Sequence, residues 1–281
     1  MSTRRVGVVT VVRGRHDHLA AQVRGLRRQT RGPDVYVVVA MDDPLVHDVV
    51  RAEADPDWDV RLPSVSCPDG LLPLAAARNL GAATATLAGV DDLVFLDVDC
   101  VPDPRLVERY AEVLAGAPVA AGPVVLCGGV AYEQPPPSGS GEDRGAPRHH
   151  PARPLLPATA VEPCEDVTLF WSLSFAVSVA DFCAVGGFDE RYVGYGAEDT
   201  DFGQRLVRSG GRLSLVGGAE AVHQYHDSAD PPVDHLADIV RNANAFAEVW
   251  GWWPMETWLE RFRALGLAER GPDGRWSVTG P

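Results

Sequence analysis

The sequence predicts an α/β fold: a mixed, mainly parallel sheet flanked by helices, with a helical C-terminal extension. Three observations carry this. Short apolar runs rich in β-branched residues, at 6–12, 35–40 and 93–96, read as buried strands. Between them apolar residues recur at helical spacing, so strand and helix alternate. The third run ends in Asp97 and Asp99. Carboxylates at the open end of a sheet make poor packing, and ligands on such sheets gather beyond the carboxyl ends of the strands.

Each element has its own warrant. Val6 to Val12 is the first strand. Asp17 to Gln29 follows as a helix, with Leu19, Val23 and Leu26 on one face and Asp17 able to cap its start. Val35 to Ala40 is the second strand and runs into Asp42. Leu74 to Leu87, which contains Arg78, is a helix. After Asp97 and Asp99, Pro104 opens a helix whose Leu106, Tyr110 and Val113 face the core. Glu133 to Pro154 is rich in Pro, Gly and charge and reads as a mobile loop. Metal binding by its His149 and His150 is not expected. Trp171 to Val179 is an apolar strand, 186–189 a turn, and Ala197 to Ser209 a helix closed by Gly210 and Gly211. Arg212 to Val216 and Ala219 to Tyr225 are short strands. From about His235 the chain is helical, and Trp250, Trp252, Trp253 and Trp258 read as packed core. The expected division is 1–230 for the main domain, with a donor half over about 1–130 and an acceptor half over about 155–230, and 231–281 for the extension.

Composition removes several function classes. The 281 residues carry a net charge of −14, and every basic residue is arginine. That balance opposes nucleic-acid binding, and no basic stripe exists. No run is long and apolar enough for a signal peptide or a membrane span. The five scattered cysteines form no CxxC pair, which points to a reducing compartment: cytoplasmic, with peripheral membrane contact left open.

Four groups of residues carry chemistry. Asp97 and Asp99 alternate on one side of a strand end, where they grip a hard divalent cation that in turn holds a diphosphate. Glu198 and Asp199 open a helix after a glycine-rich stretch that contains Tyr195. The helix dipole favours their charged forms, so one can take a proton from an attacking hydroxyl. His223 and His226 offer a further metal ligand, and imidazole favours Mn²⁺ over Mg²⁺. Residues three apart on a strand do not share a face, so a bend is needed for both to reach one ion. Asp42 can accept a hydrogen bond from a nucleobase, and Arg15 and Arg78 can meet diphosphate oxygens.

Together these residues resemble the GT-A glycosyltransferases of the family 2 type, from about Val6 to His226. AARNLGAA and FLDVDCVPDP match that pattern, the latter as its DxD motif. In the opening loop only Arg15 keeps its place. GGFDERYVGYGAEDTDFGQRL is similar to the carboxyl-terminal motif of β-1,4-galactosyltransferases and polypeptide N-acetylgalactosaminyltransferases. Tyr195 stands where the galactosyltransferases carry a tryptophan at the acceptor sugar. The resemblance implies a GT-A (Rossmann-like) fold and transfer from a nucleotide-sugar donor, by default a UDP-sugar. It implies Mn²⁺ or Mg²⁺ and inversion, with Asp199 as general base and Glu198 and Tyr195 at the acceptor. Arg15, Asp42, Arg78 and Asp97 would hold the donor, and Asp99 with His223 or His226 the metal. A polysaccharide, a lipid-linked sugar, a peptide or a natural product could each be the acceptor. The alternatives are a non-catalytic nucleotide-sugar-binding protein of this fold and a sugar nucleotidyltransferase.

Overall fold

The computed structural model describes residues 4–116, 122–135 and 146–279. The strands in chain order are β1 (Val6–Val12), β2 (Val35–Met41), β3 (Val60–Arg61), β4 (Ser64–Val65), β5 (Asp92–Leu96), β6 (Cys100–Pro102) and β7 (Val124–Tyr132). They continue with β8 (Arg148–His149), β9 (Val161–Cys164), β10 (Ser174–Ser178), β11 (Arg212–His223), β12 (Ala268–Arg270) and β13 (Trp276–Val278). The helices are α1 (His16–Leu26), α2 (Leu45–Glu53), α3 (Leu74–Leu87), α4 (Leu106–Gly116), α5 (Val179–Val185), α6 (Glu198–Arg208), α7 (Leu236–Trp250) and α8 (Glu256–Ala264).

One mixed sheet runs in the order β3-β2-β1-β5-β10-β7-β11-β6. Its first half is parallel, because helical crossovers return the chain to the same end each time. β10 enters antiparallel between β5 and β7, and β11 lies parallel to β7. Every residue of β1, β2 and β5 is buried, as expected for strands with both faces covered. Side-chain alternation divides the core in two. Val8, Leu19, Val38 and Leu106 pack on one face of the sheet, and Val9, Val39, Phe95, Phe175 and Phe202 on the other.

Several expectations change. Helix α1 starts at His16, and Asp17 makes no cap; Arg15 stands at the N-cap position in the left-handed region. The two strands expected over 212–216 and 219–225 are one strand, β11, which ends at His223 and whose ladder to β7 shifts register between Val216 and Ala221. Gly217 and Gly218 therefore mark a bulge, not a break. Helices α2 and α5 were not foreseen; both are short and follow directly on a turn or strand. In the loop expected over 133–154, residues 136–145 lie outside the described residues. The remainder is fixed: Arg148–His149 pairs with β7, Arg153 is buried over the Trp171 ring, and His150 meets that ring edge-on. The extension is not wholly helical, since β12 and β13 form a hairpin beneath α7 and α8. Of the four tryptophans expected in the core, Trp253 and Trp258 pack against the cluster of Ile239, Leu259 and Phe262, and Trp250 against that of Tyr192 and Phe246. Trp252 is exposed, Trp250, Trp253 and Trp258 are half-buried, and Trp276 alone among the tail tryptophans is buried. Among the described residues no helix is long and apolar enough to cross a membrane.

Candidate active site

The carboxyl ends of the parallel strands β1, β2 and β5 lie along one edge of the sheet, and the turn after β5 runs on to the edge where β6 meets β11. The turn after β5 carries Asp97 and Asp99. Its shape is set by a residue the motifs did not reveal. Gln22, fully buried on α1, donates to the carbonyls of Asp97 (2.6 Å) and Cys100 (3.2 Å). Its own carbonyl accepts from the Thr10 hydroxyl (2.8 Å) and the Tyr36 hydroxyl (3.1 Å). A buried amide with its donors and acceptor used holds one geometry. The available signal was a polar residue inside the apolar stripe Leu19, Val23, Leu26.

Asp99 points to the sheet edge. His223 pairs with Cys100 across β11 and β6, which places its Nε2 3.4 Å from Asp99 Oδ2. The chain leaves strand geometry after His223, and the Gln224 N–H donates to the Asp99 carbonyl (2.7 Å). That bend brings His226 Nε2 within 3.6 Å of the same carboxylate oxygen. Both histidines thus reach one point, and ligand atoms of Asp99, His223 and His226 lie within 4.8 Å of one another. Arg15 also pairs with Asp99. Burial alone would raise the Asp99 carboxyl; hydrogen bonds from the two histidines and the charge of Arg15 outweigh it and hold the group well below the usual carboxylate range. A carboxylate that stays ionised beside two imidazoles is a donor set that fits Mn²⁺.

Behind Asp97 lies Arg78, only 3% exposed on α3. Its guanidinium donates to Asp97 Oδ1 (3.1 Å) and Glu198 Oε1 (3.0 Å) and sits over the Phe188 ring. Burial would lower its pKa, but the two carboxylates raise it instead. Arg78 therefore ties the DxD turn to the start of α6. Burial pushes Asp97 up despite Arg78, and nearby Asp99 adds to the rise. Next to Arg78, Asn79 accepts from the Phe188 N–H (2.9 Å) and donates to the Phe188 carbonyl (2.9 Å), which fixes the glycine-rich loop. Replacing Arg78 with Met leaves Glu198, which is buried, and Asp97, which is half-buried, without their shared cation. We expect a loss of about 3 kcal/mol in urea unfolding at neutral pH. The deficit should shrink as the pH falls and Asp97, which burial already pushes up, takes on a proton. An undiminished melting curve at neutral pH would show that Arg78 is no such tie.

Helix α6 begins with Glu198 and Asp199 after Ala197, whose φ is +74°. Glu198 is buried, and its Oε2 has no hydrogen-bond partner. The expectation that Asp199 stays charged at neutral pH is corrected. Burial, reinforced by the adjacent Glu198, outweighs the helix dipole and the Thr200 N–H and pushes Asp199 up to about 7. Tyr195 is 39% exposed and close enough that Asp199 and Glu198 help burial push its phenol up to about 12. Asp42 sits at the end of β2 with φ +49°, and one of its oxygens accepts the Cys67 N–H (2.6 Å). Among the described residues, the non-glycine residues with positive φ are Arg15, Asp42, Asp69, Ala197 and Met255. Of these, Arg15 and Asp42 are expected site residues and Ala197 directly precedes Glu198, a concentration of backbone strain that is common where function constrains the chain.

The fold is that of the GT-A glycosyltransferases, and residues 186–206 carry the galactosyltransferase-type carboxyl-terminal motif. Residues 158–227 match the model of the family described as the N-terminal domain of galactosyltransferase. Validoxylamine A glucosyltransferase of Streptomyces hygroscopicus subsp. limoneus is 32% identical over 246 residues, covering 79% of this chain and 51% of that protein. N-acetylglucosaminyl-diphospho-decaprenol L-rhamnosyltransferase of Mycobacterium tuberculosis (strain CDC 1551 / Oshkosh) is 40% identical over 75 residues, covering 26% of this chain and 24% of that protein. The chain thus spans about half the length of the glucosyltransferase it matches. Among solved structures, GalNAc-T7 with UDP, GalNAc and Mn²⁺ superposes with a TM-score of 0.59 at 15% identity, over 89% of this chain and 48% of that one.

Proposed function

We propose that this chain is a metal-dependent glycosyltransferase that moves a sugar from a nucleotide diphosphate sugar, by default a UDP-sugar, to an acceptor hydroxyl with inversion. One observation carries the reading. Asp99, His223 and His226 converge on one point, and Arg78 joins the same turn to the paired acids Glu198 and Asp199. The glucosyltransferase and rhamnosyltransferase relatives support the reaction class, and the Mn²⁺ and UDP in the GalNAc-T7 structure support the cofactor and donor.

Asp99, His223 and His226 would hold the cation, Mn²⁺ or Mg²⁺. When bound, it supplies positive charge that offsets the charge on the departing diphosphate. Asp42 keeps one oxygen on the Cys67 N–H and offers the other to a base N–H. Asp97, oriented by Arg78, faces the donor. Arg15 pairs with Asp99, and its guanidinium fork suits a phosphate oxygen of the donor. In the transfer, the acceptor oxygen bonds to the anomeric carbon as the bond from that carbon to the diphosphate oxygen breaks. Asp199 takes the acceptor proton, and the nucleoside diphosphate leaves with the bonding electron pair. Direct in-line attack by the acceptor inverts the centre. Glu198 Oε2, buried and unpartnered, is available to an acceptor hydroxyl.

A thermal-shift screen of nucleoside diphosphates and nucleotide sugars, with and without Mn²⁺, tests the proposal. UDP at about 100 times its Kd should stabilise the fold by roughly 2.7 kcal/mol, and only with metal. No shift with any nucleotide, with or without metal, would end the transferase reading. Anomeric analysis of the product tests inversion separately.

A further inference from the structure

The extension beyond the histidine ligands folds back over the loop that leads into Glu198 and Asp199. Asn242, fully buried on α7, directs its amide N–H groups at the carbonyls of Val193 (3.1 Å), Tyr195 (3.2 Å) and Gly196 (3.0 Å). Asp238 accepts the Tyr195 N–H (3.2 Å). The two glycines flanking Tyr195 make this approach feasible. A Cβ on Gly194 would stand 2.2 Å from Asp238 Oδ2, and one on Gly196 would stand 2.7 Å from Met255 Sδ. Both also have positive φ.

The same extension adds aromatic surface beside Tyr195. The His235 ring stacks on the Tyr195 ring, with centroids 4.5 Å apart and planes 11° from parallel. Trp258, on α8, lies 6.1 Å from Tyr195 at a tilt of 36°. All three rings keep part of their surface open to solvent. Tyr195, which both other rings contact, lies on the loop that runs through Ala197 directly into Glu198 and Asp199 at the start of α6. An open aromatic surface beside buried acids is the usual composition of a site for a ring with one apolar face and many hydroxyls. None of His235, Asp238, Asn242 or Trp258 lies within the segment matched to the galactosyltransferase family, which stops at residue 227.

We propose that the extension supplies half of the acceptor subsite: Trp258 and the His235–Tyr195 stack form a platform for the apolar face of an acceptor pyranose, which aims one hydroxyl at Asp199. Asp238 and Asn242 are positioning residues that hold the Tyr195 loop. The proposal rests on the transferase reading for its acceptor role, and its ring-binding part is testable without turnover.

The test is titration of methyl β-D-glucopyranoside and methyl β-D-galactopyranoside by saturation-transfer NMR, in the presence of UDP and Mn²⁺, with mannitol as an open-chain control. At least one pyranoside should bind the full chain and mannitol should not. Trp258→Ala should weaken binding roughly tenfold, the scale of one lost aromatic contact, while Trp258→Phe retains most of it. UDP–Mn²⁺ affinity by calorimetry and the melting temperature of Trp258→Phe should match the parent. Equal pyranoside binding by the parent and Trp258→Ala would overturn the platform, as would failure of both pyranosides to bind the parent. If the pyranoside titrates through Trp258 but UDP–Mn²⁺ does not bind the parent, the platform stands and the transferase reading falls.

Discussion

Asp199→Asn should bind UDP and Mn²⁺ as the parent does and lose transfer by about 10³-fold, within the range expected for removing a general base. The amide keeps the shape and the hydrogen bond from the Thr200 N–H but cannot accept the acceptor proton. The pH profile of the parent gives a second reading of the same group. Because burial and Glu198 push Asp199 up to about 7, transfer should fall as the pH drops through that value, where Asp199 becomes protonated. Protonation of a base is lost as pH rises, so the active limb lies above the pKa. Near-parental turnover in Asp199→Asn, or a profile flat between pH 6 and 8, would remove Asp199 from the role.

Asp99→Ala should abolish metal-dependent nucleotide binding, the largest binding effect we expect. Asp99 is the anionic member of the set with His223 and His226, and two neutral imidazoles hold a divalent ion far less well. Losing one ligand of three costs roughly 100-fold or more in metal affinity, since changes even in the partners of ligands cost 10–100-fold. His223→Ala should weaken Mn²⁺ in the same direction. The two variants can be compared by calorimetric titration of Mn²⁺ with UDP present. Parental Mn²⁺ affinity in Asp99→Ala would place the cation elsewhere.

The donor side of the fold was legible because its physics is local. Strands β1, β2 and β5 are mainly apolar runs, and the helix expected over Leu74 to Leu87 has those ends as α3. Asp97 and Asp99 stood out because nothing apolar would end in two acids. What failed to show was set by distant partners. Gln22 declares its role only when β5 lies beside β1 and the turn carbonyls come within reach. The two glycines in β11 read as an end, because pairing with β7 on both sides of the bulge is invisible along the chain. The bend after His223 depends on a hydrogen bond to Asp99, more than a hundred positions away. His235 read as the start of a helical extension and Trp258 as packed core, since their neighbour Tyr195 belongs to another part of the sequence.

The Gln22 network has a consequence for motion. Its partners Thr10 and Tyr36 belong to the first two strands and are themselves fully buried. Swinging the Asp97–Cys100 turn outward would break both amide donations and open a cavity between α1 and the sheet. The turn therefore belongs to the same cooperative unit as β1 and β2, and its amides should exchange with deuterium only on the slow time scale of global unfolding. On the proposed function, a donor would meet a surface that is rigid before any ligand arrives, and adjustment to different acceptors would fall to the opposite wall.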